Sequence, residues 1–119
     1  MKSFRDLKFW ERAHRLVVRT YEVTRNFPKE ELVNLTAAMR RSSLAMASAL
    51  VEGAALGTDR DQAQLTQNSI GANGQVEYQL LLARDLGYLD DTTYEELVGE
   101  TLELRRQLVT HLMKLKTIR

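Results

Sequence analysis

Apolar residues recur at three- and four-residue steps through nearly all of this 119-residue chain, and only a few short stretches interrupt them. The interruptions are Asn26-Phe27-Pro28, Gly57-Thr58 and Gly87-Tyr88-Leu89-Asp90-Asp91. Pro28 disfavours helical geometry in the residue before it, and glycine is the usual residue just past a helix end. The pattern predicts helices over about 6–25, 36–55, 59–86 and 92–116. Residues 29–34 leave room for one short helical turn, and no stretch has the alternation of a strand. Thr36 is the expected N-cap of the second helix, Thr58 of the third, and Asp91 or Thr92 of the fourth. Long amphipathic helices joined by short connections form an antiparallel up-down four-helix bundle, and residues 1–119 suit one such domain.

In the first segment Leu7, Trp10, Ala13, Val17, Tyr21 and Thr24 mark the inward line. The third segment carries Gly71 and Gly74 inside its helix, each costing roughly 1 kcal/mol relative to Ala. A tight helix crossing there would account for them. In the fourth segment Tyr94, Leu97, Thr101, Leu104, Leu108, His111, Leu115 and Ile118 form a heptad-like seam. Val98, Leu102, Val109, Leu112 and Met113 lie beside it. Together the two sets span roughly 220° of the helix, whereas packing inside one bundle needs about 100–140°. Burial on two sides is implied, with Val98, Leu102, Val109 and Met113 as the interface to a neighbouring subunit. The particle is then a homo-oligomer.

The stretch AAMRRSSLAMASALVEGAAL, residues 37–56, is small and apolar except for Arg40, Arg41 and Glu52. The arginines could be a nucleic-acid contact, a catalytic pair or an internal ion-pair lock. With Gly57 as the midpoint of a hairpin, Arg40 and Arg41 reach the levels of Gly74 and Asn73, and Glu77 lies one turn away. A partly buried pair between Arg40 or Arg41 and Glu77 is the physical account favoured here, because guanidinium binds carboxylate through two parallel donors. Arg41 and Glu52 lie nearly on one face but about 16 Å apart along the axis, so they can pair only across a subunit boundary.

Little in the chain points to chemistry. The absence of cysteine excludes a disulfide framework and a thiolate site, and fits a reducing compartment. His14 and His111 stand alone on their helices, and a lone seam histidine is more often structural than a ligand. Asp59, Asp61, Asp90 and Asp91 sit where helix N-termini favour acids. Gly71 and Gly74 fall mid-helix, so they do not form a phosphate loop. No enzyme, metal, cofactor or small-molecule substrate is expected. The charged N-terminal stretch lacks a signal-peptide core, and no window approaches the ~18 apolar residues of a membrane span, so a cytoplasmic location off the membrane is expected.

Net charge is only +1, but residues 1–30 carry eight Lys/Arg against four Asp/Glu. Lys8, Arg12, Arg15 and Arg19 follow at steps of four, three and four, which keeps them on one side of a helix. With little aromatic interleaving, such a stripe would contact a phosphate backbone rather than bases. A solvated face is the competing reading.

Several motifs occur together in order. Leu7, Trp10 and Ala13 give Leu-x-x-Trp-x-x-Ala. Tyr21, Thr24, Phe27 and Pro28 close the first helix. Arg40-Arg41 precedes Glu52-Gly53, Gly71 and Gly74 precede Glu77, and Leu86-Gly87-Tyr88-Leu89 follows. In this set the chain resembles the bacterial 23S rRNA intervening-sequence proteins. It departs from their pattern at Ser48-Ala49-Leu50-Val51 and near Gln64-Leu65. The resemblance implies a four-helix protomer and a ring-like homopentamer. Similar bundles serve diversity-generating retroelements as accessory proteins that bind a reverse transcriptase and nucleic acid. The expected function is a non-enzymatic, self-assembling scaffold or binding module, with structured RNA or a nucleic-acid-processing protein as candidate partner. The alternative is a protein-binding adaptor without nucleic-acid contact.

Overall fold

The computed structural model describes residues 3–117, and among them the fold is all-α. Four helices make it up: α1 (Trp10–Thr24), α2 (Leu35–Leu56), α3 (Asp59–Asp85) and α4 (Asp91–Thr117). Short 3-10 turns at Phe4–Asp6 and Lys29–Glu31 precede α1 and α2.

The helix ends follow from capping chemistry, with some shifts from expectation. Ser3 and Asp6 close a capping box around the first 3-10 turn, and Leu7 is extended, so α1 starts at Trp10 rather than near Asp6. Thr36 is not a cap: it is buried inside α2, whose N-cap position is Asn34, and Leu35 N donates to the Glu31 carboxylate at 3.1 Å. Thr58 caps α3 by accepting from Asp61 N at 3.1 Å. Asp90, not Asp91 or Thr92, caps α4, accepting from Thr93 N at 2.7 Å. That bond holds the Asp90 carboxyl below its ordinary pKa. Gly57 and Gly87 end α2 and α3 with φ of 79° and 82°, a conformation that favours glycine.

Helix α2 packs on α3 and α3 on α4, while α1 lies against α2 and, more sparingly, α4. Partners pair in reversed chain order. Ser42 meets Gln75 and Gln79, whereas Met46, further along α2, accepts at its carbonyl from Ser69 Oγ at 2.8 Å. Asn73 donates to the Thr101 carbonyl at 3.0 Å, and Gln62 meets His111, later on α4. Met39, Met46, Leu80, Leu97, Leu104 and Leu108 fill the centre.

Helix α1 is rotated by about one residue from the expected line: Ala13, Leu16, Thr20 and Thr24 are buried, and Trp10, Val17 and Tyr21 flank them. Thr20, Thr24 and Thr101 satisfy their buried hydroxyls on carbonyls of their own helices. The close helix approach is not at Gly71 or Gly74, where an added Cβ would meet nothing within 4 Å. It is at Gly53, where a Cβ would stand 3.3 Å from the Gln62 Cα.

Candidate binding surfaces

Arg12, Arg15 and Arg19 lie on α1 beside a row of carboxylates, whereas Lys8 falls in the turn before the helix begins at Trp10 and so does not continue the same helix face. Lys8 and Arg15 are exposed, Arg12 and Arg19 half-buried. Arg12 donates to Glu100 at 2.8 Å, and Arg15 stands 3.7 Å from the same carboxylate. Arg19 binds Glu96 at 2.9 Å and Glu22 at 3.3 Å. A hollow of about 270 Å³ separates α1 from α4, lined by Arg15, Leu16, Arg19, Glu96, Leu97 and Glu100. The stripe therefore faces solvent as an alternating-sign surface, which weakens its long-range field. Nothing in the first segment announced Glu96 and Glu100, because they arrive from the far end of the chain.

The arginine pair divides. Glu77 is taken by neither Arg40 nor Arg41. Arg105 of α4 donates from Nη2 to Glu77 at 2.6 Å and from Nε to Asn73 Oδ1 at 2.8 Å. Arg40 turns to α1, donating to Thr24 Oγ1 at 2.9 Å with its guanidinium 4.8 Å from the Tyr21 ring centre. Arg41 points outward and is exposed. The levels along α2 and α3 were near those expected, but the rotation of α2 sends adjacent arginines to different neighbours. The meeting of Arg105 with Glu77 depends on the α3–α4 register, which the spacing within either helix does not state. The place of Arg105 beside the apolar seam of α4 was the available signal.

On α4 the seam Leu97, Thr101, Leu104, Leu108 and Leu115 is buried, and Ile118 lies outside the described residues. The neighbouring line is partly exposed: Val98 is half-buried, and Leu102, Val109 and Met113 are 45%, 39% and 62% exposed. Tyr78 on α3 is also exposed, and Gly71 and Gly74 add no side chain beside it. A second partly exposed apolar surface lies on α1 and α2. It has a groove of about 370 Å³ lined by Trp10, His14, Val17, Leu44, Ala47, Ser48, Val51 and Glu52.

His111 is a structural residue of the α4 seam. Nε2 lies 3.0 Å from Gln62 Oε1, and the ring meets Phe9 edge-on at 5.1 Å. Burial, and then the nearby Lys114, push its pKa down. It borders a cavity of about 330 Å³ with Asp6, Lys8, Arg106, Gln107 and Lys114. His14 stacks on Trp10 at 5.1 Å. Among the described residues no three His, Asp or Glu gather as metal ligands, and no helix is long and apolar enough to cross a membrane.

The fold is shared with a crystal structure from Bacteroides thetaiotaomicron VPI-5482, a protein of unknown function from the S23 ribosomal protein family. The TM-score is 0.80 at 15% identity, over 87% of this chain and 94% of that one. No curated protein matches. The family model described as 23S rRNA-intervening sequence protein matches residues 5–110. This chain belongs to that 23S rRNA-intervening sequence protein family.

Proposed function

We propose that the protein is a non-enzymatic, self-assembling scaffold or binding module. Its protomer is an up-down antiparallel bundle, a reading supported by the reversed order of partners along α2–α3 and α3–α4. The observation that carries the proposal is the partly exposed aliphatic line of Val98, Leu102, Val109 and Met113 on α4. Contiguous apolar surface of that kind marks a contact site. The apolar groove of α1–α2 is a second surface, built from residues of other helices than the α4 line. Two unlike surfaces join head to tail, and a contact of that kind closes a ring when its rotation permits. Five protomers is the number the family resemblance implies.

Structured RNA or a nucleic-acid-processing protein is the second part of the reading. It is supported by exposed Lys8 and Arg15, with Arg12 and Arg19 behind them. The carboxylates of Glu96 and Glu100 make each site modest, and a ring multiplies modest sites into avid ones. Where the carboxylates dominate, the module is a protein-binding adaptor with no nucleic-acid contact.

Native mass spectrometry tests the assembly: an oligomer is expected, and Val109→Glu should reduce it to protomers. A protomer mass for the unaltered chain would refute self-assembly. Anisotropy with a labelled rRNA hairpin across salt concentrations tests the RNA. Binding that falls linearly in log–log salt supports the α1 stripe, and no binding at low salt leaves the adaptor.

A further inference from the structure

We infer that the outer face of α2 of one protomer docks parallel to α4 of the next in one register, pairing Arg41 with Glu95 and Glu52 with Arg106. This deepens the self-assembly reading above and rests on it.

The two helices carry matching outward lines. On α2 the line is Arg41, Leu44, Ser48, Glu52 and Ala55, and all five are exposed. On α4 it is Glu95, Val98, Leu102, Arg106 and Val109, exposed except for half-buried Val98. Both lines advance by three, four, four and three residues, so each stays on one face of its helix. The charges at the first and fourth positions are opposite between the lines. Among the uncharged positions Leu44 faces Val98, and large meets small where Leu102 faces Ser48 and Val109 faces Ala55.

The unused charges fit this arrangement. Arg41, Glu52 and Glu95 have no ion-pair partner among the described residues. Arg106 is held only by Glu103 on its own exposed turn, and it can exchange that partner for Glu52. The helix directions agree as well. Both α2 and α4 run opposite to α3, so they point the same way, and rotation about an axis along the bundle preserves that direction.

The heights agree too. Asn73 Nδ2 lies 3.7 Å from Met46 Sδ and 3.0 Å from the Thr101 carbonyl, while Ser69, one turn before Asn73, bonds the Met46 carbonyl, so Met46 and Thr101 lie within about one turn of each other in height. Arg41 is then within about one turn, ~5 Å, of the level of Glu95, a span that the arginine side chain can bridge. Glu52 and Arg106 match equally well. A ring rotation keeps these levels, so both pairs carry the same offset and form together.

Charge exchange in the full chain, read by sedimentation and native mass, tests the register. Arg41→Glu and Glu95→Arg are each expected to raise the dissociation constant of the assembly about tenfold or more through like-charge contact. Combined, they should restore assembly to within about threefold of the original. All four positions are exposed, so thermal melts at protomer level check that the variants fold. Because the chain has no cysteine, a mixture of Ser48→Cys and Leu102→Cys chains gives an independent reading. It should form an intermolecular disulfide that neither variant forms alone. Single exchanges that leave assembly intact, or a double exchange that fails to restore it, overturn the register. If Val109→Glu still dissociates the particle in that case, self-assembly stands without this register. A chain that never assembles removes both.

Discussion

Arg105 Nε donates to Asn73 Oδ1 at 2.8 Å, tying α4 to a side chain of α3 that is fully buried. The same guanidinium holds Glu77, so one side chain bridges two turns of the neighbouring helix. Arg105→Ala should lower stability by roughly 1–3 kcal/mol, measured by chemical denaturation, chiefly because Asn73 loses a buried partner. The side chains of Arg105 and Glu77 are 30% and 40% exposed, so screening leaves the ion pair itself a minor contributor. Arg41→Ala should change protomer stability by no more than about 0.5 kcal/mol. Equal losses in the two variants would contradict this division.

Arg40 serves a different joint. Arg40→Ala should cost about 1 kcal/mol by losing its bond to Thr24 and its contact with Tyr21. Arg40→Lys should recover little of it, since an ammonium cannot lie flat on the ring while donating sideways. Parallel thermal melts of the two variants decide the matter.

The glycines should separate by position. Gly71→Ala should stabilise the protomer by about 0.5–1 kcal/mol, because an alanine there meets nothing and suits a helix better. Gly53→Val should destabilise it by about 1–3 kcal/mol, since side-chain atoms would be driven into the Gln62 backbone. A Gly53→Val protein as stable as the original would mean that α2 and α3 can part freely.

Acidification should act through His111. Its folded pKa is depressed by burial, so the unfolded chain takes up the proton first. The stability tied to its neutral form is complete above the ordinary imidazole value of about 6.5 and is lost as pH falls through the lower folded value. Melting temperature should therefore drop as pH falls below about 6.5, and His111→Gln should flatten that part of the profile. An identical slope in the variant would assign the pH dependence elsewhere.

The helices were readable because three- and four-residue apolar spacing and turn glycines act locally. Gly57, Thr58 and Gly87 do in the fold what their neighbours in sequence require. Rotation about each axis was less readable. A shift of about one residue moved the inner line of α1 to Leu16 and Thr20, and the rotation of α2 sent Arg40 and Arg41 to different surroundings. Partners such as Glu100 for Arg12 and Arg105 for Glu77 depend on where distant helices come to rest. The apolar excess of α4 was legible because it is a property of one helix.

The α1–α4 seam has a dynamic consequence. Its inter-helix ion pairs, Arg12–Glu100 and Arg19–Glu96, have partly exposed side chains, while α2–α3 is joined by buried small residues and hydroxyls. Local opening follows the edge with the fewest buried contacts. The amides of α1 should exchange with solvent before those at the centre of α3, and added salt should speed that exchange. The first helix is thus the element expected to loosen first, while α2, α3 and α4 stay packed.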